Sequence, residues 1–378
     1  MEANLLKILF TILCFQLLFV SFFLFQSKKG KTISNKILAL VFLMLSVAAI
    51  NFYWIVFDIQ TNFPQLMLID DTFLLAYGPL LYLFTQSVIF KNYILKKVHF
   101  IHFIPFFISV FAVIVYILFA DVTSMSETTV QMKSNQVPLY FRMGEMLILF
   151  YTLFYLFKSK REVQKVLQSA FEKYSSINQE EFKLLTFIIN SFIILFLLAM
   201  IHSVLPFIGI RGGLFVTLLL IVLVVFYIIN SVLFKMLKQT TNDSGLIAQP
   251  VYEHKEKYAG SRLTKAELLK YKSDLWSHMS TQEKYLNSEL TIDDLANELA
   301  LTPKIVSQII NEGYSCNFFD FVNKFRVEEA KSLLSSRTDD KMTIQEVMYD
   351  AGFNSKSSFN TAFKKFTKLT PTQFKNNL

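Results

Sequence analysis

Long apolar runs separated by short polar segments occupy the first 234 residues of this chain. A membrane-spanning helix needs about 20 mostly apolar residues, because lipid offers the backbone no hydrogen-bond partner outside the helix itself. Runs of this length cover residues 8–26, 37–57, 72–90, 100–120, 139–157, 184–208 and 214–234. The fifth run carries Arg142 and Glu145 near its start, whereas the other six contain no Asp, Glu, Lys or Arg. The pattern predicts a seven-helix transmembrane bundle within residues 1–238.

The apolar pattern changes after residue 238. Residues 239–263 are polar and have no regular apolar period, which predicts a flexible linker. Thr264 and Glu267 then form a capping-box signature, in which each side chain bonds the backbone N–H of the other residue. We expect a linker helix over 264–289, whose apolar face packs on the next domain or on a second copy of the chain.

Two short helix pairs with the same plan follow. The first pair begins at the capping box of Thr291 and Asp294, turns at residues 300–302 and continues in a helix that starts at Pro303. The second pair begins at Thr343, turns at Ala351-Gly352 and continues in a helix that opens at Ser355. Each second helix has one apolar face, which predicts packing against its partner.

A continuous amphipathic pattern over residues 318–334 lies between the two pairs. A helix of that length extends roughly 25 Å at about 1.5 Å per residue. Such a spacer could hold two helices in successive major grooves, about 34 Å apart along one face of DNA. The sequence therefore predicts an all-α protein whose domain 290–378 has two helix-turn-helix units, about 290–316 and 340–374, joined by a helix over 317–335.

The outward faces of the two second helices are rich in cationic and hydrogen-bonding side chains. A helix in the major groove needs such groups, because base edges are read by hydrogen bonds and phosphates by charge. The same pattern also fits a small helical adaptor with a solvated face. The outward residues are Lys304, Ser307, Gln308 and Asn311 in the first unit and Lys356, Ser357, Asn360, Thr361 and Lys364 in the second.

The net charge of +8 lies entirely in the apolar part of the chain. Residues 1–240 hold 19 Lys and Arg against 11 Asp and Glu, whereas residues 241–378 hold 18 of each, so overall basicity is no argument for nucleic-acid binding. Lys and Arg concentrate after the first, third and fifth runs, and such loops stay in the cytoplasm. We expect a multi-pass protein of the inner membrane, with an uncleaved first anchor, the N-terminus outside and residues from 235 onward in the cytoplasm.

Residues 290–374 resemble the DNA-binding domain of AraC-type transcription regulators (the AraC/XylS family). Locally, residues 341–378 carry six Lys and two acidic residues, an excess that favours phosphate contact. The residues that carry the resemblance are Leu295-Ala296, Phe318, Phe321, Arg326, Ala330, Leu333-Leu334, Ile344, Gly352-Phe353, Ser355, Phe359, Phe363-Lys364 and Thr370-Pro371.

The resemblance implies that two recognition helices enter the major groove of promoter DNA. By motif position, base-facing residues are Lys304, Ser307 and Gln308 in the first unit, with Lys356, Ser357 and Thr361 in the second. Asn360 and Lys364 are placed for phosphates. Met348 and Lys368 depart from the pattern, because the family usually has alanine and glycine there.

The apolar half resembles the seven-span N-terminal regions of AraC-type regulators, including the run at residues 76–84. This resemblance implies sensing of an unknown small-molecule or envelope signal. Ionisable groups inside a membrane are costly and tend to be functional. The candidate signal-sensing residues are Asp70, Asp71, Arg142, Glu145, His202 and Arg211.

The leading interpretation is a membrane-anchored one-component transcription regulator. Its expected partners are promoter DNA and the lipid bilayer, with RNA polymerase and a second copy of the chain as further candidates. The alternative is a membrane receptor or transporter whose helical tail is a protein-binding adaptor. The sequence predicts no enzyme, cofactor or metal site, since it has no phosphate-binding glycine loop and no metal or nucleophile motif, and Cys14 and Cys316 are far apart.

Overall fold

The computed structural model describes residues 2–27, 32–56, 67–90, 93–119, 139–177, 179–206, 208–210, 212–239, 263–336 and 343–378. These residues form α-helices and two 3₁₀ helices, and no β-strand occurs among them. The fold class is therefore all-α over the described ranges. Residues 240–262 of the predicted linker and the candidate Arg211 lie outside them.

The chain divides into two compact units. The first unit takes its described residues from Met1–Val163 and Leu184–Val251, and the second takes Gln164–Lys183 together with the described residues from 263 onward. The helices before residue 240 are α1 (Glu2–Gln26), α2 (Thr32–Val56), α3 (Met67–Ile89), α4 (Ile104–Phe119), α5 (Leu139–Lys173), α6 (Gln179–Val204) and α7 (Gly212–Gln239).

Six segments among the described residues are long and apolar enough to cross a membrane, with mean hydropathies from 1.4 to 2.8. They are Lys7–Gln26, Ile33–Trp54, Thr72–Ile89, Lys97–Phe119, Phe182–Val204 and Gly213–Phe234. Each coincides with one of the seven predicted runs. Run 139–157 is not among them, and Arg142 and Glu145 are the residues that set it apart in composition.

Helix α5 continues well past the predicted run, through residues expected to form a cytoplasmic loop, and ends at Lys173. The reason is a helical apolar stripe in this polar stretch. Val163, Val166 and Ala170 are all buried, and their spacing places them on one helix face.

Within the first unit, α3 and α5 approach each other closely at Gly78. A Cβ atom added there would lie 3.1 Å from the Cα of Thr152, so only glycine allows this backbone contact without displacement. The Thr152 hydroxyl donates a hydrogen bond to the Leu74 carbonyl oxygen at 3.0 Å in the same region. The contact explains why an apolar α3 carries a glycine in its middle.

The second compact unit contains seven α-helices among its described residues from 263 onward. They are α8 (Lys265–Gln282), α9 (Ile292–Glu298), α10 (Pro303–Tyr314), α11 (Phe318–Ser336), α12 (Ile344–Asp350), α13 (Lys356–Thr367) and α14 (Pro371–Asn376). Helix α8 stops short of residue 289, because Glu283 takes a left-handed conformation (φ 48°) before a 3₁₀ turn at Lys284–Leu286.

Helix α11 belongs to two hydrophobic cores. Its first half places Phe318, Phe321 and Val322 in a core shared with α8, α9 and α10. Its second half places Val327, Ala330 and Leu334 in a core shared with α12 and α13. Helix α11 lies over the stretch expected to join the two helix pairs, and its burial in both cores connects the two small helical units.

The predicted caps are also confirmed. Thr264, Thr291 and Thr343 each accept a hydrogen bond from the third residue of their helix in a complete capping box. Ser355 accepts a hydrogen bond from the backbone N–H of Ser358 at 3.3 Å and opens α13. Each cap satisfies donors that a helix start leaves unpaired.

Candidate nucleic-acid interface

Helix α10 presents the predicted polar face of the first helix-turn-helix unit. Thr302 caps the helix by accepting from the Ile305 N–H at 3.3 Å, and Pro303 occupies its first turn. Val306, Ile309 and Ile310 are fully buried and fix the helix on its core. The opposite face is therefore directed away from the core.

The four predicted residues of α10 lie on that opposite face. Lys304 and Asn311 are exposed, and Ser307 and Gln308 are partly exposed. The Asn311 amide donates to the Ser307 hydroxyl at 3.2 Å, and the Gln308 amide donates to the Glu312 carboxylate at 3.1 Å. These bonds run along the helix surface and hold hydrogen-bonding groups side by side.

Helix α13 has the same construction in the second helix-turn-helix unit. Phe359, Ala362 and Phe363 are buried, and the rings of Phe359 and Phe363 meet edge to face with centroids 5.6 Å apart. The outward face carries three exposed and two partly exposed predicted residues. Lys356, Thr361 and Lys364 are exposed, and Ser357 and Asn360 are partly exposed.

A groove of about 800 Å³ runs beside α13 and brings four of the predicted residues together. These are Lys356, Asn360, Thr361 and Lys364. Sequence reasoning missed further lining residues, namely Tyr349, Lys365, Thr370 and Thr372. The Lys365 ammonium lies 2.6 Å from the Asp320 carboxylate, so its charge is partly balanced. Its position next to Lys364 in the sequence is the feature that could have indicated Lys365 as a lining residue.

The turn before α13 depends on Gly352. This residue has φ +85°, and a Cβ atom added there would lie 2.6 Å from the Tyr285 carbonyl oxygen and 2.8 Å from Leu286 backbone atoms. A side chain is excluded by both conformation and space. Gly352 therefore allows the second helix-turn-helix unit to pack directly on the 3₁₀ turn at Lys284–Leu286.

The start of α12 is held by a charged cap. The Glu346 carboxylate accepts hydrogen bonds from the Thr343 backbone N–H at 2.7 Å and from the Thr343 hydroxyl at 2.9 Å. These two bonds favour the ionised form and hold the pKa of Glu346 below its ordinary value of 4.5. The cap orients the helix that supports α13.

Among the candidate signal-sensing residues, Glu145 and His202 lie close enough to interact electrostatically. Arg142 is buried, and the Glu145 carboxylate accepts a hydrogen bond from the Ser203 hydroxyl of α6. The His202 ring nitrogen Nδ1 lies 2.8 Å from the Thr217 hydroxyl of α7. Asp70 and Asp71 lie in α3, but their side chains, like Arg211, are outside what the structure describes.

The similarity to known proteins lies in the second compact unit, which contains both helix-turn-helix units. Residues 295–377 match the family described as a helix-turn-helix domain. A helix-turn-helix-type transcriptional regulator of Staphylococcus aureus (strain COL) is 31% identical over 93 residues, which are 25% of this chain and 12% of that protein. The probable transcription factor PqrA of Proteus vulgaris is 28% identical over 105 residues, which are 28% of this chain and 83% of that protein.

Among solved structures, the C-terminal domain of the two-component response regulator YesN from Fusobacterium nucleatum is 26% identical. The match covers 28% of this chain and 98% of that domain, with a TM-score of 0.25. The chain spans only about an eighth of the S. aureus regulator, so the similarity concerns one domain and not the whole protein.

These relatives are named as transcription regulators or factors, a class that is generally not enzymatic, in agreement with the prediction that this chain is no enzyme. The match region contains α10, α11 and α13 with their capped starts and buried faces. The C-terminal part of the chain, over residues 295–377, is a helix-turn-helix domain.

Proposed function

We propose that this protein is a membrane-anchored one-component transcription regulator. A signal received by the apolar helices changes the binding of the helix-turn-helix domain to promoter DNA. The observation that carries the proposal is the pair of helices α10 and α13, which are fixed through α11 and bear cationic and amide side chains opposite their buried faces.

The DNA-facing residues of the proposal are those predicted from the sequence. Lys304, Ser307 and Gln308 would read bases from α10, with Asn311 beside them on the same face. Lys356, Ser357 and Thr361 would read bases from α13, with Asn360 and Lys364 on phosphates. Their exposure supports these roles, because base edges and phosphates are reached only by side chains that stand clear of the core.

The membrane part of the proposal has seven spans, with residues 139–157 of α5 as the fifth. Leu147, Phe150 and Phe154 on this helix are 59–70% exposed, which suits lipid contact. Arg142 is buried within the unit, and Glu145 is hydrogen-bonded to Ser203, so neither charge stands against lipid. Seven spans with cytoplasmic lysine-rich loops put the N-terminus outside and the DNA-binding domain in the cytoplasm.

Signal sensing is proposed for the polar groups inside the apolar unit. The Glu145–Ser203 and His202–Thr217 hydrogen bonds join α5 to α6 and α6 to α7. A signal can shift such a bundle only if it binds one arrangement better than the other. RNA polymerase and a second copy of the chain remain proposed partners, and pairing in the membrane would raise the effective concentration of the DNA-binding domains.

The test uses the purified full chain in lipid nanodiscs and labelled genomic fragments. We expect retardation of promoter fragments at low salt, with affinity that falls steeply as salt rises. The double variant Lys356→Ala with Lys364→Ala should lose binding. Lys331→Ala is the matched control, because Lys331 pairs with Glu328 on α11 at 2.7 Å, away from both predicted faces. Failure of the wild-type chain to bind any fragment at low salt would overturn the proposal.

A further inference from the structure

A short segment from between α5 and α6, residues 174–177, is built into the helix-turn-helix domain. The Ser175 N–H donates to the Leu290 carbonyl oxygen at 3.1 Å, and Tyr174 forms an isolated antiparallel bridge with Thr291. Just before the segment, the Lys173 ammonium lies 3.1 Å from the Asp293 carboxylate. The segment thus attaches at the start of α9, in the first helix-turn-helix unit.

The same segment contacts the second helix-turn-helix unit at the start of α13. The Ser176 hydroxyl donates to the Asn354 side-chain oxygen at 2.8 Å. The Ser358 hydroxyl, on the buried face of α13, donates to the Ile177 carbonyl oxygen at 3.1 Å. Residues 174–177 therefore touch both units, at the points where α9 and α13 begin.

Arg326 on α11 is the centre of this contact. Its side chain is fully buried, and its guanidinium lies over the Phe353 ring with 5.6 Å to the centroid. Nε donates to the Tyr285 carbonyl at 2.7 Å, and Nη2 donates to the Asn287 carbonyl at 2.8 Å. These bonds tie Arg326 to the 3₁₀ turn on which the second unit packs.

The remaining donors of Arg326 turn toward the inserted segment. Nη1 donates to the Ser175 carbonyl oxygen at 2.8 Å and to the Asn323 side-chain oxygen at 3.2 Å, and Nη2 donates to the Ser175 hydroxyl at 2.9 Å. A guanidinium has five N–H donors, and all five are used. Burial lowers the pKa of Arg326, yet five oxygen acceptors favour the charged form, so the group stays protonated near neutral pH.

Ser175 supplies two of the five acceptors and is only 1% exposed. If the segment left, a buried cation would lose both, and Asn323, which donates to the Ser175 carbonyl at 3.4 Å, would lose a partner too. An unpaired buried charge is strongly unfavourable. Departure of the segment would therefore have to open this polar centre to water.

The docked segment leaves the predicted DNA-facing residues uncovered. Lys304, Lys356, Thr361 and Lys364 are all exposed while residues 174–177 are in place. A contact that inhibited binding by covering the interface would bury at least some of them. The position of the segment, between the units and behind their polar faces, is that of a brace.

We propose that residues 174–177 are an intramolecular docking segment that braces the two helix-turn-helix units in the arrangement that binds DNA. The segment directly follows α5 and precedes α6, so a shift of those helices is passed to the domain through Arg326. The proposal deepens the proposed function and rests on it for its effect on DNA, whereas the docking itself can be tested without DNA.

Docking is tested by disulfide formation in the full chain in nanodiscs. Ser176→Cys and Asn354→Cys are combined after Cys14→Ala and Cys316→Ala remove the native thiols, since the two replaced side chains are in direct contact. We expect rapid intramolecular cross-linking, which Ser175→Trp abolishes because a 1% exposed site has no room for an indole. The single-cysteine variants are the controls. No cross-link in the otherwise wild-type pair overturns the docking.

The effect on DNA is measured with a genomic fragment that the wild-type chain retards. Ser175→Trp should weaken binding at least tenfold, and Ser175→Ala, which removes one acceptor and keeps the backbone contacts, two- to fivefold. Glu172→Trp is the matched control, because Glu172 is exposed on the last turn of α5, and it should bind within twofold of wild type. Unchanged far-ultraviolet circular dichroism, which the added tryptophans do not obscure, establishes that each variant keeps its helices.

The outcomes separate the two claims. Cross-linking together with weaker binding of both Ser175 variants supports the brace. Cross-linking with wild-type affinity in both variants overturns it. Cross-linking by a chain that binds no fragment overturns the proposed function and the coupling to DNA, and leaves the docked segment as a structural contact alone.

Discussion

Replacement of Gly352 by alanine should lower the free energy of unfolding of the helix-turn-helix domain. Gly352 has φ +85°, and the added methyl group would lie 2.6 Å from the Tyr285 carbonyl oxygen and 2.8 Å from two backbone atoms of Leu286. Backbone atoms of a 3₁₀ turn cannot rotate away as the end of a flexible side chain can. The substitution must therefore separate the turn from α12 and α13 or distort both.

The magnitude follows from two contributions. A non-glycine residue in the left-handed region costs about 1–2 kcal/mol. Overpacking by one methyl group against a fixed backbone costs about 1–3 kcal/mol. Together they give about 2–5 kcal/mol, a large share of the roughly 5–15 kcal/mol that holds a domain folded. With a urea dependence of about 1–3 kcal/mol per molar, the unfolding midpoint should fall by at least about 0.7 M.

The assay is urea unfolding of the full chain in detergent, followed by tryptophan fluorescence. The chain has two tryptophans, so Trp54→Phe leaves Trp276 as the reporter. The centroids of the Trp276 and Phe325 rings lie 4.6 Å apart, and Phe325 stacks on Tyr285 with centroids 5.6 Å apart. The reporter is therefore connected to the perturbed turn through the Phe325 ring.

Gly313→Ala is the matched control. Gly313 lies in α10, and the nearest atoms to its added Cβ belong to the flexible side chain of Lys272 on α8, the closest at 3.3 Å. Alanine in a helix is favoured over glycine by about 0.5–1 kcal/mol, so this variant should be as stable as wild type or slightly more stable. A Gly352→Ala midpoint within experimental error of wild type would refute the geometric reasoning about the turn.

Three further predictions concern the same domain. Lys368→Gly should raise the free energy of unfolding by about 1 kcal/mol, because Lys368 ends α13 in the left-handed region (φ 65°), and a lower urea midpoint would contradict this. Hydrogen bonds hold the pKa of Glu346 below 4.5, so its contribution to stability is present above that pH and is lost as pH falls through the folded pKa. Glu346→Gln should therefore lose less thermal stability than wild type on acidification. Equal dependence of the melting temperature on pH in the two proteins would exclude this role. Lys364→Gln should lower the slope of log affinity against log salt by about 1 on any bound fragment, whereas Gln308→Ala should change fragment preference and leave the slope unchanged; the opposite pattern would reverse the assigned phosphate and base roles.

The local structure of the helix-turn-helix domain could be predicted because its signals are short-range. Thr291, Thr343 and Ser355 carry capping side chains a few residues from the N–H groups that they bind, and α11 follows an uninterrupted amphipathic pattern. Such contacts are encoded within one turn or one helix face. The predicted helix starts therefore agree with the structure within about one residue.

Features that depend on distant contacts could not be predicted in the same way. Arg326 entered only as part of a family resemblance, because its hydrogen bonds to Ser175 join residues 151 positions apart. The helical continuation of α5 to Lys173 was hidden by its lysines and glutamates, since a polar stretch with three spaced apolar residues also fits a loop. Lys368 likewise takes the left-handed conformation at the end of α13, where its N–H bonds the Lys364 carbonyl, although lysine has no local preference for that conformation.

Helix–helix contact inside the apolar unit has its own limit of prediction. The sequence placed Gly78 in a predicted span, but only the three-dimensional packing identifies Thr152 as the neighbour that excludes a side chain. Composition likewise separates run 139–157 from the other six and cannot reveal that Arg142 is buried. In both cases the decisive fact is which face of a helix meets another helix.

The acceptors of Arg326 have a consequence for how such proteins diversify. Three of its five partners are main-chain carbonyls, of Tyr285, Asn287 and Ser175, so the arginine reads the path of the backbone more than the identity of side chains. A loop with another sequence could fill the same place if it presented a carbonyl and one small hydroxyl there. The helix-turn-helix domain could thus be joined to other preceding segments without redesign of its core.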